Sequence, residues 1–256
     1  TKGFSTNYYI SPQIWASREG RIKKIKRDID HMYVILPFEK EFYEKKHGFP
    51  VHFVGHPLID AITHTPVQDE IIFRKDNDLD KEKPIVALLP GSREQEVRKM
   101  LSVMLSVQKD FPDYQFVIAG APSLPNRFYS SFRENHSVGF VSDQTYSLLK
   151  YAHAALVTSG TATLETALFN VPQVVCYKGN WISYQIAKSI ITLNFISLVN
   201  LIMDKEVVKE LIQGDFTHEN LKTELGKILN GANRERILAD YALLSQKLGG
   251  VGASQK

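Results

Sequence analysis

Ile85-Val-Ala-Leu-Leu-Pro-Gly-Ser-Arg-Glu-Gln-Glu-Val97 is the stretch that decides the fold. Five apolar residues in a row read as a strand buried on both faces, and Pro90-Gly91 makes a turn. Between Glu94 and Lys109, residues Val97, Met100, Leu101, Met104 and Leu105 recur at the i, i+3, i+4, i+7, i+8 spacing of one buried helix face. Strand, glycine turn and helix in that order form the repeating unit of a parallel α/β sheet. Ser92 is placed to cap the helix, with Gln95 three residues on completing a capping box. The same turn offers free N–H groups, a positive helix end and the fixed charge of Arg93 to an anion.

Outward from this stretch the design recurs. Ala155-Leu-Val157 feeds Ser159-Gly-Thr-Ala-Thr-Leu-Glu165, a second strand, glycine turn and helix start. In a doubly wound sheet, ligands collect beyond the carboxyl ends of the strands, so both turns are expected to face one crevice that suits a diphosphate. Glu165, one helical turn inside, either accepts from both hydroxyls of a nucleoside ribose or simply favours the positive helix end. Further strands are expected near Tyr8–Ile10, Met32–Leu36, His52–Val54, Gln115–Ala119, Gly139–Val141 and Gln173–Cys176. The polar run Asp76-Asn-Asp-Leu-Asp-Lys-Glu-Lys83 reads as a solvated loop. The expected organisation is therefore a first α/β part over 1–60, a linker over 61–83, a second α/β domain over 84–213, and C-terminal helices over 214–256.

The chain has 256 residues, is 43% apolar and carries a net charge of +3. That is the composition of a globular protein with a core, and the charge excess is too small to argue for nucleic acid. The lone Cys176, inside an apolar string, reads as a core thiol of a reducing compartment. No stretch reaches the ~20 uninterrupted apolar residues of a membrane helix. The chain opens at Thr1 without Met and runs almost at once into a strand-like string, which reads as a cut piece.

Several strings together carry a family resemblance. Gly91-Ser-x-x-x-Glu-Val97, Thr158-Ser-Gly-Thr-Ala-Thr-Leu-Glu165, Tyr184-Gln-Ile-Ala-Lys188, Ile196-Ser-Leu-Val-Asn-Leu-Ile202 and Lys209-Glu-Leu-Ile-Gln213 resemble the bacterial lipid-A-disaccharide synthases in order and spacing. So do Tyr9-Ile-Ser-Pro-Gln-Ile-Trp-Ala-Ser-Arg18, Leu36-Pro-Phe-Glu39 and Val54-Gly-His-Pro-Leu58. The resemblance implies a GT-B glycosyltransferase with two Rossmann-like domains. It would move a diacylglucosamine from UDP to a diacylglucosamine 1-phosphate with a β-1,6 link, releasing UDP. Site residues implied for UDP are Gly91, Ser92, Arg93, Ser159, Gly160, Thr161, Ala162, Thr163 and Glu165, with Arg93 and Asn200 catalytic. The family's glycine-rich opening and its acidic candidate base are expected upstream of Thr1, and part of its last helix beyond Lys256. Asn200 stands in Leu-Val-Asn where many relatives have Leu-Pro-Asn. Competing readings are another UDP-sugar enzyme of this architecture, a UDP-N-acetylglucosamine 2-epimerase or the peptidoglycan GlcNAc transferase, and a UDP-binding module without turnover.

No cofactor and no metal are expected. Asp28-Ile-Asp30 imitates a metal-binding Asp-x-Asp but precedes a strand where that motif should follow one. Residues for the acceptor or the cleft are Arg18, Glu39, His56 and Gln213. His56 is alternatively a turn histidine, Glu39 a helix cap, and Arg18, set within an apolar stripe, the partner of an internal carboxylate. A helix over Ile14–Ile29 is expected to bury Ile14, Trp15, Ile22, Ile25 and Ile29. Its basic face, Lys23, Lys24 and Arg27 flanked by Arg21 and Lys26, suits either solvent or an anionic membrane. Two-chain lipid substrates stay in a bilayer, so a protein peripheral on the cytoplasmic face of the inner membrane is expected. Trp181, Ile182 and Tyr184 form a second apolar cluster, for the membrane, the core or a dimer. The stripe Ile237, Tyr241, Leu244, Leu248 needs a surface, supplied by a homodimer or by the chain's own first domain.

Overall fold

The structure, a computed structural model, describes residues 3–134, 136–179 and 195–253. Trp181, Ile182 and the string at 184–188 lie outside the described residues. Two compact units divide the rest: one holds 3–64 and 242–253, the other 65–179 and 195–241.

In the first unit, β1 (Asn7–Tyr9), β2 (His31–Val34) and β3 (His52–Phe53) form a three-stranded parallel sheet in that order. Between and after them come α1 (Ile22–Asp28), α2 (Pro37–Glu41) and α3 (Pro57–His64). Ile14, Ile22, Ile25, Met32, Val34, Tyr43, Phe49 and Val51 make its core. The long helix expected over Ile14–Ile29 is not formed. Arg18 adopts a left-handed conformation (φ 60°, ψ 41°), a short 3₁₀ turn Glu19–Arg21 follows, and only then does α1 begin. The apolar spacing survives the break, because Ile14, Ile22 and Ile25 are all buried.

The second unit opens with α4 (Glu70–Asp76), inside the stretch read as linker. Asp69 caps it, accepting from the N–H groups of Ile71 and Ile72, and Phe73 anchors it as a fully buried ring. Then alternate β4 (Ile85–Leu89), α5 (Glu94–Ser106), β5 (Gln115–Gly120), α6 (Ser130–Glu134), β6 (Gly139–Ser142), α7 (Thr145–Tyr151), β7 (Ala152–Thr158), α8 (Thr161–Leu168) and β8 (Gln173–Tyr177). After the undescribed segment come α9 (Leu198–Met203), β9 (Lys209–Ile212), α10 (His218–Leu229) and α11 (Ala232–Lys247). All six strands are parallel in the order β6-β5-β4-β7-β8-β9. Counted from β4 this is 3-2-1-4-5-6, the Rossmann order, and its switch point lies between β4 and β7.

Every residue of β4 is buried, as a central parallel strand covered on both faces requires. Ile85, Ala87 and Leu89 join Val117, Ala119, Ala155, Val157, Leu148 and Phe73 in one core. Their alternates Val86, Leu88, Phe116, Ile118 and Leu156 are buried too, on the opposite face by strand alternation. Along α5, the five periodic residues are 0–1% exposed. β9 is not among the strands the pattern picks out: Lys209-Glu-Leu-Ile lacks alternation, and the strand is short and at the sheet edge. The stripe residues Ile237, Tyr241, Leu244 and Leu248 are each exposed by 1% or less.

Candidate functional site

Side by side at the switch point, β4 and β7 end in the two glycine turns read from the sequence. Their register pairs Leu89 with Val157. Beyond these ends lies a cavity of about 540 Å³, lined by Pro90 to Arg93, Glu96, Gly120, Thr158 to Ala162, Glu165, Tyr177 and Lys178. Both helices that start at its wall, α5 and α8, lack a side-chain cap at the N-terminus. Uncapped N–H groups and the positive ends of two helices therefore border one space.

The glycines are required by conformation. Gly91 has φ +104° and Gly160 φ +144°, values that L side chains rarely adopt. A Cβ on Gly91 would come within 3.3 Å of Thr158 Cγ2, whereas one on Gly160 would meet nothing within 4 Å. Gly160 therefore opens its backbone to the cavity. Ser92 does not cap α5. The Gly91 turn carries it outward, the helix starts after Arg93, and the exposed Ser92 uses its carbonyl to accept from Ser123 Oγ at 2.7 Å.

Of the charged residues, Arg93 is the N-cap residue of α5, its side chain 82% exposed and ion-paired to Glu96 Oε1 at 3.0 Å. Glu165 accepts from Tyr146 Oη at 3.1 Å. Burial raises the Glu165 pKa, and the Tyr146 bond partly offsets this. Burial, with the neighbouring carboxylate, pushes the Tyr146 hydroxyl up to about 12, so it stays a donor. Lys178, exposed, follows β8.

Asn200 is not brought to this cavity. Fully buried, its side chain makes four hydrogen bonds: Nδ2 donates to Val208 O and Glu210 Oε1, and Oδ1 accepts from the N–H groups of Val207 and Val208. That exhausts an amide's two donors and two acceptor sites, leaving nothing for a substrate. Glu210 also accepts from the N–H groups of Ile196 and Ser197, each at 2.9 Å, and Ser159 Oγ donates to Ile196 O at 3.0 Å. The Ser-Leu-Val-Asn and Lys-Glu-Leu-Ile-Gln strings are thus two sides of one buried clamp behind the glycine turn. Thr163 is buried as well, its hydroxyl donating to Gly160 O at 2.8 Å. Gln213 sits just past β9 with φ 53°, outside the cavity lining, with its Nε2 buried and unpartnered among the described residues.

Three candidates belong to the first unit. Arg18 is exposed and precedes the helix, so its placement within the apolar stripe does not hold. Glu39 is 1% exposed and accepts four hydrogen bonds, from Ser11 Oγ, Trp15 Nε1 and the N–H groups of Ile35 and Leu36. His56, also buried, accepts the Leu58 N–H on Nδ1 at 3.2 Å and so caps α3; desolvation lowers its pKa to about 4. Both are structural by their bonding. Asp28 pairs with Arg27 and Asp30 accepts from Thr6 N–H, and among the described residues no three potential metal ligands cluster. Cys176 is fully buried, and burial pushes its thiol up, away from reactivity.

Sequence reasoning missed Tyr146, Glu96, Lys178 and Glu210. Glu96 carries a signal, since i,i+3 from Arg93 is an ion-pair spacing. Tyr146 carries none, being 19 residues from the carboxylate it holds.

A model of the family described as lipid-A-disaccharide synthetase matches residues 3–254. The lipid-A-disaccharide synthase of Coxiella burnetii (strain RSA 331 / Henzerling II) is 42% identical over 99% of this chain and 68% of its own length. Among solved structures, the S. aureus MnaA–UDP co-structure superposes with a TM-score of 0.66 at 14% identity, over 98% of this chain and 67% of that one. WaaG, a glycosyltransferase involved in lipopolysaccharide biosynthesis, superposes with a TM-score of 0.53 at 12% identity, over 94% and 70%. These likenesses are of fold, the GT-B type, while the sequence identity over nearly the whole length is of kind: the chain belongs to the lipid-A-disaccharide synthase family.

Proposed function

We propose that this chain holds the UDP-sugar side of an inverting glycosyl transfer, moving a diacylglucosamine from UDP to a diacylglucosamine 1-phosphate. The observation that carries the reading is the cavity at the β4/β7 switch point, bordered by two uncapped helix ends, with Arg93 and Glu165 on its wall. A departing diphosphate needs negative charge stabilised as the bond to the sugar breaks, and preorganised N–H groups with a guanidinium do this at little reorganisation cost. Arg93 and the α5 and α8 ends take that role, and no metal is called on. Glu165, held by Tyr146 through one oxygen, keeps the other for the ribose hydroxyls. Neither cavity carboxylate is assigned as the base that takes the acceptor's proton, because Glu96 is engaged by Arg93 and Glu165 by Tyr146 and the ribose. Asn200 positions the turn from behind through the Glu210 clamp.

Calorimetric titration of UDP, without added metal, into this chain and its Arg93→Ala and Glu165→Ala variants tests the reading. Tight binding is expected, weakened about tenfold or more in each variant, the usual worth of a charged hydrogen bond. A folded wild-type chain that does not bind UDP rules it out.

The same reading brings the chain to a lipid surface. No described helix is long and apolar enough to cross a membrane. The exposed basic residues Arg21, Lys23, Lys24, Lys26 and Arg27 on and before α1 support peripheral contact with anionic lipid, each contributing on the order of 1 kcal/mol near the surface. Co-sedimentation is expected with vesicles containing anionic lipid but not with neutral ones, and is expected to be lost on converting Lys23, Lys24 and Arg27 to Gln. Equal sedimentation with both vesicle types would remove the proposal.

A further inference from the structure

The cavity wall holds two cations, Arg93 and Lys178, and among the described residues only Arg93 has an ion-pair partner. Arg93 is ion-paired with Glu96. Lys178 is exposed and has no carboxylate within ion-pair distance among the described residues, although it lines the same cavity. The β7–β8 register pairs Thr158, the last residue of β7, with Cys176, and past the two strand ends Gly160 and Lys178 both line the cavity. Gly160 is the N-cap of α8. A lysine and the positive end of a helix thus line one cavity, and each favours an anion in it. The ligand that suits these groups together is an anion.

We infer that Lys178 is a second contact for the leaving group, reading the second phosphate of the diphosphate while Arg93 and the α5 end hold the other. This rests on the reading of the cavity as a UDP site and deepens it. As the bond between the sugar C1 and the terminal phosphate oxygen breaks, its electron pair passes to that oxygen, while the acceptor hydroxyl oxygen bonds C1 and gives up its proton to the reaction's general base. The Lys178 ammonium donates to the phosphate throughout and keeps its proton. Two cations and two helix ends match a diphosphate, whereas a monophosphate reaches only part of the set. Lys178 therefore sets preference for a nucleoside diphosphate over a nucleoside monophosphate.

The test is calorimetry of uridine, UMP and UDP against the wild-type chain and the Lys178→Met and Lys178→Arg variants. UDP is expected to bind wild type more tightly than UMP. K178M is expected to lose about tenfold for UDP while uridine and UMP stay within about twofold, and K178R is expected to recover most of the loss. An unchanged UDP-to-UMP ratio in K178M, with wild type binding UDP well, overturns the role of Lys178 and leaves the cavity reading standing. Failure of folded wild type to bind any of the three overturns both.

Discussion

Glu39 and Glu165 each sit within the first turns of a helix that follows a parallel strand, the first buried and the second partly buried, yet they have opposite surroundings. Glu39 accepts four hydrogen bonds, two from its own helix start and two from Ser11 and Trp15. Among the described residues Glu165 has one hydrogen-bond partner, the Tyr146 hydroxyl, and it lines the cavity. A carboxylate filled by protein donors holds the chain together. One that is desolvated but underbonded costs the fold something and keeps lone pairs for another molecule. The difference cannot be read from the two helix starts alone, because the extra donors to Glu39 come from residues 24 and 28 positions away.

The largest expected effect breaks this symmetry directly. Glu39→Ala strands two backbone N–H groups, a hydroxyl and an indole in a buried pocket, and is expected to cost about 3 kcal/mol of unfolding free energy in denaturant titration. UDP affinity of the folded fraction is expected to stay within about twofold. Glu165→Ala is expected to do the reverse, weakening UDP as above while changing stability by less than about 1 kcal/mol. The pH dependence follows. Burial raises the folded-state pKa of Glu165 above its unfolded value, so the folded chain holds that proton more tightly. The stability it lends is complete below the ordinary carboxylate range and is lost as pH rises through the raised value. UDP binding moves oppositely, since the ribose is held by the ionised form. Equal losses of stability in both variants would erase the distinction.

The same contrast explains which parts of the molecule the sequence discloses. The apolar run Ile85–Leu89, the periodic α5 residues and the glycines at 91 and 160 answer to local rules, and the structure places them in their expected strand, helix and turns. The site's frame is therefore legible. Its chemistry is less so. Asn200 looks like a polar residue offered to a substrate, but its amide is consumed by Val207, Val208 and Glu210, which only the clamp geometry reveals. Ser92 has the right spacing for a capping box, yet Gly91 turns it outward. Arg18 keeps the helical spacing on paper, and a left-handed residue at that position ends the register before the helix begins. The polar stretch before β4 hides α4 because one buried ring, Phe73, and one cap, Asp69, are enough to hold a two-turn helix. The Ser11-Pro-x-x-Trp15 and Leu36-Pro-Phe-Glu39 strings look like separate signatures until Glu39 is seen accepting from both Ser11 and Trp15.

A smaller effect sharpens the comparison with a third buried titratable group. His56 behaves like Glu39, a side chain whose acceptor is filled by a backbone N–H, here that of Leu58 at the start of α3. Its folded-state pKa is lowered from 6.5 to about 4 by desolvation, so the unfolded chain takes up a proton that the folded chain refuses. Stability is then complete above pH 6.5 and falls as pH drops, by about 2.5 kcal/mol from this group at pH 4.5. In His56→Asn the amide oxygen accepts the same N–H without titrating. Denaturant unfolding of the two chains between pH 7 and pH 4.5 is expected to give curves that converge, the wild type losing more stability than the variant. Parallel curves would mean that the imidazole is protonated equally in both states, and that the turn before α3 tolerates a buried charge that its bonding does not account for.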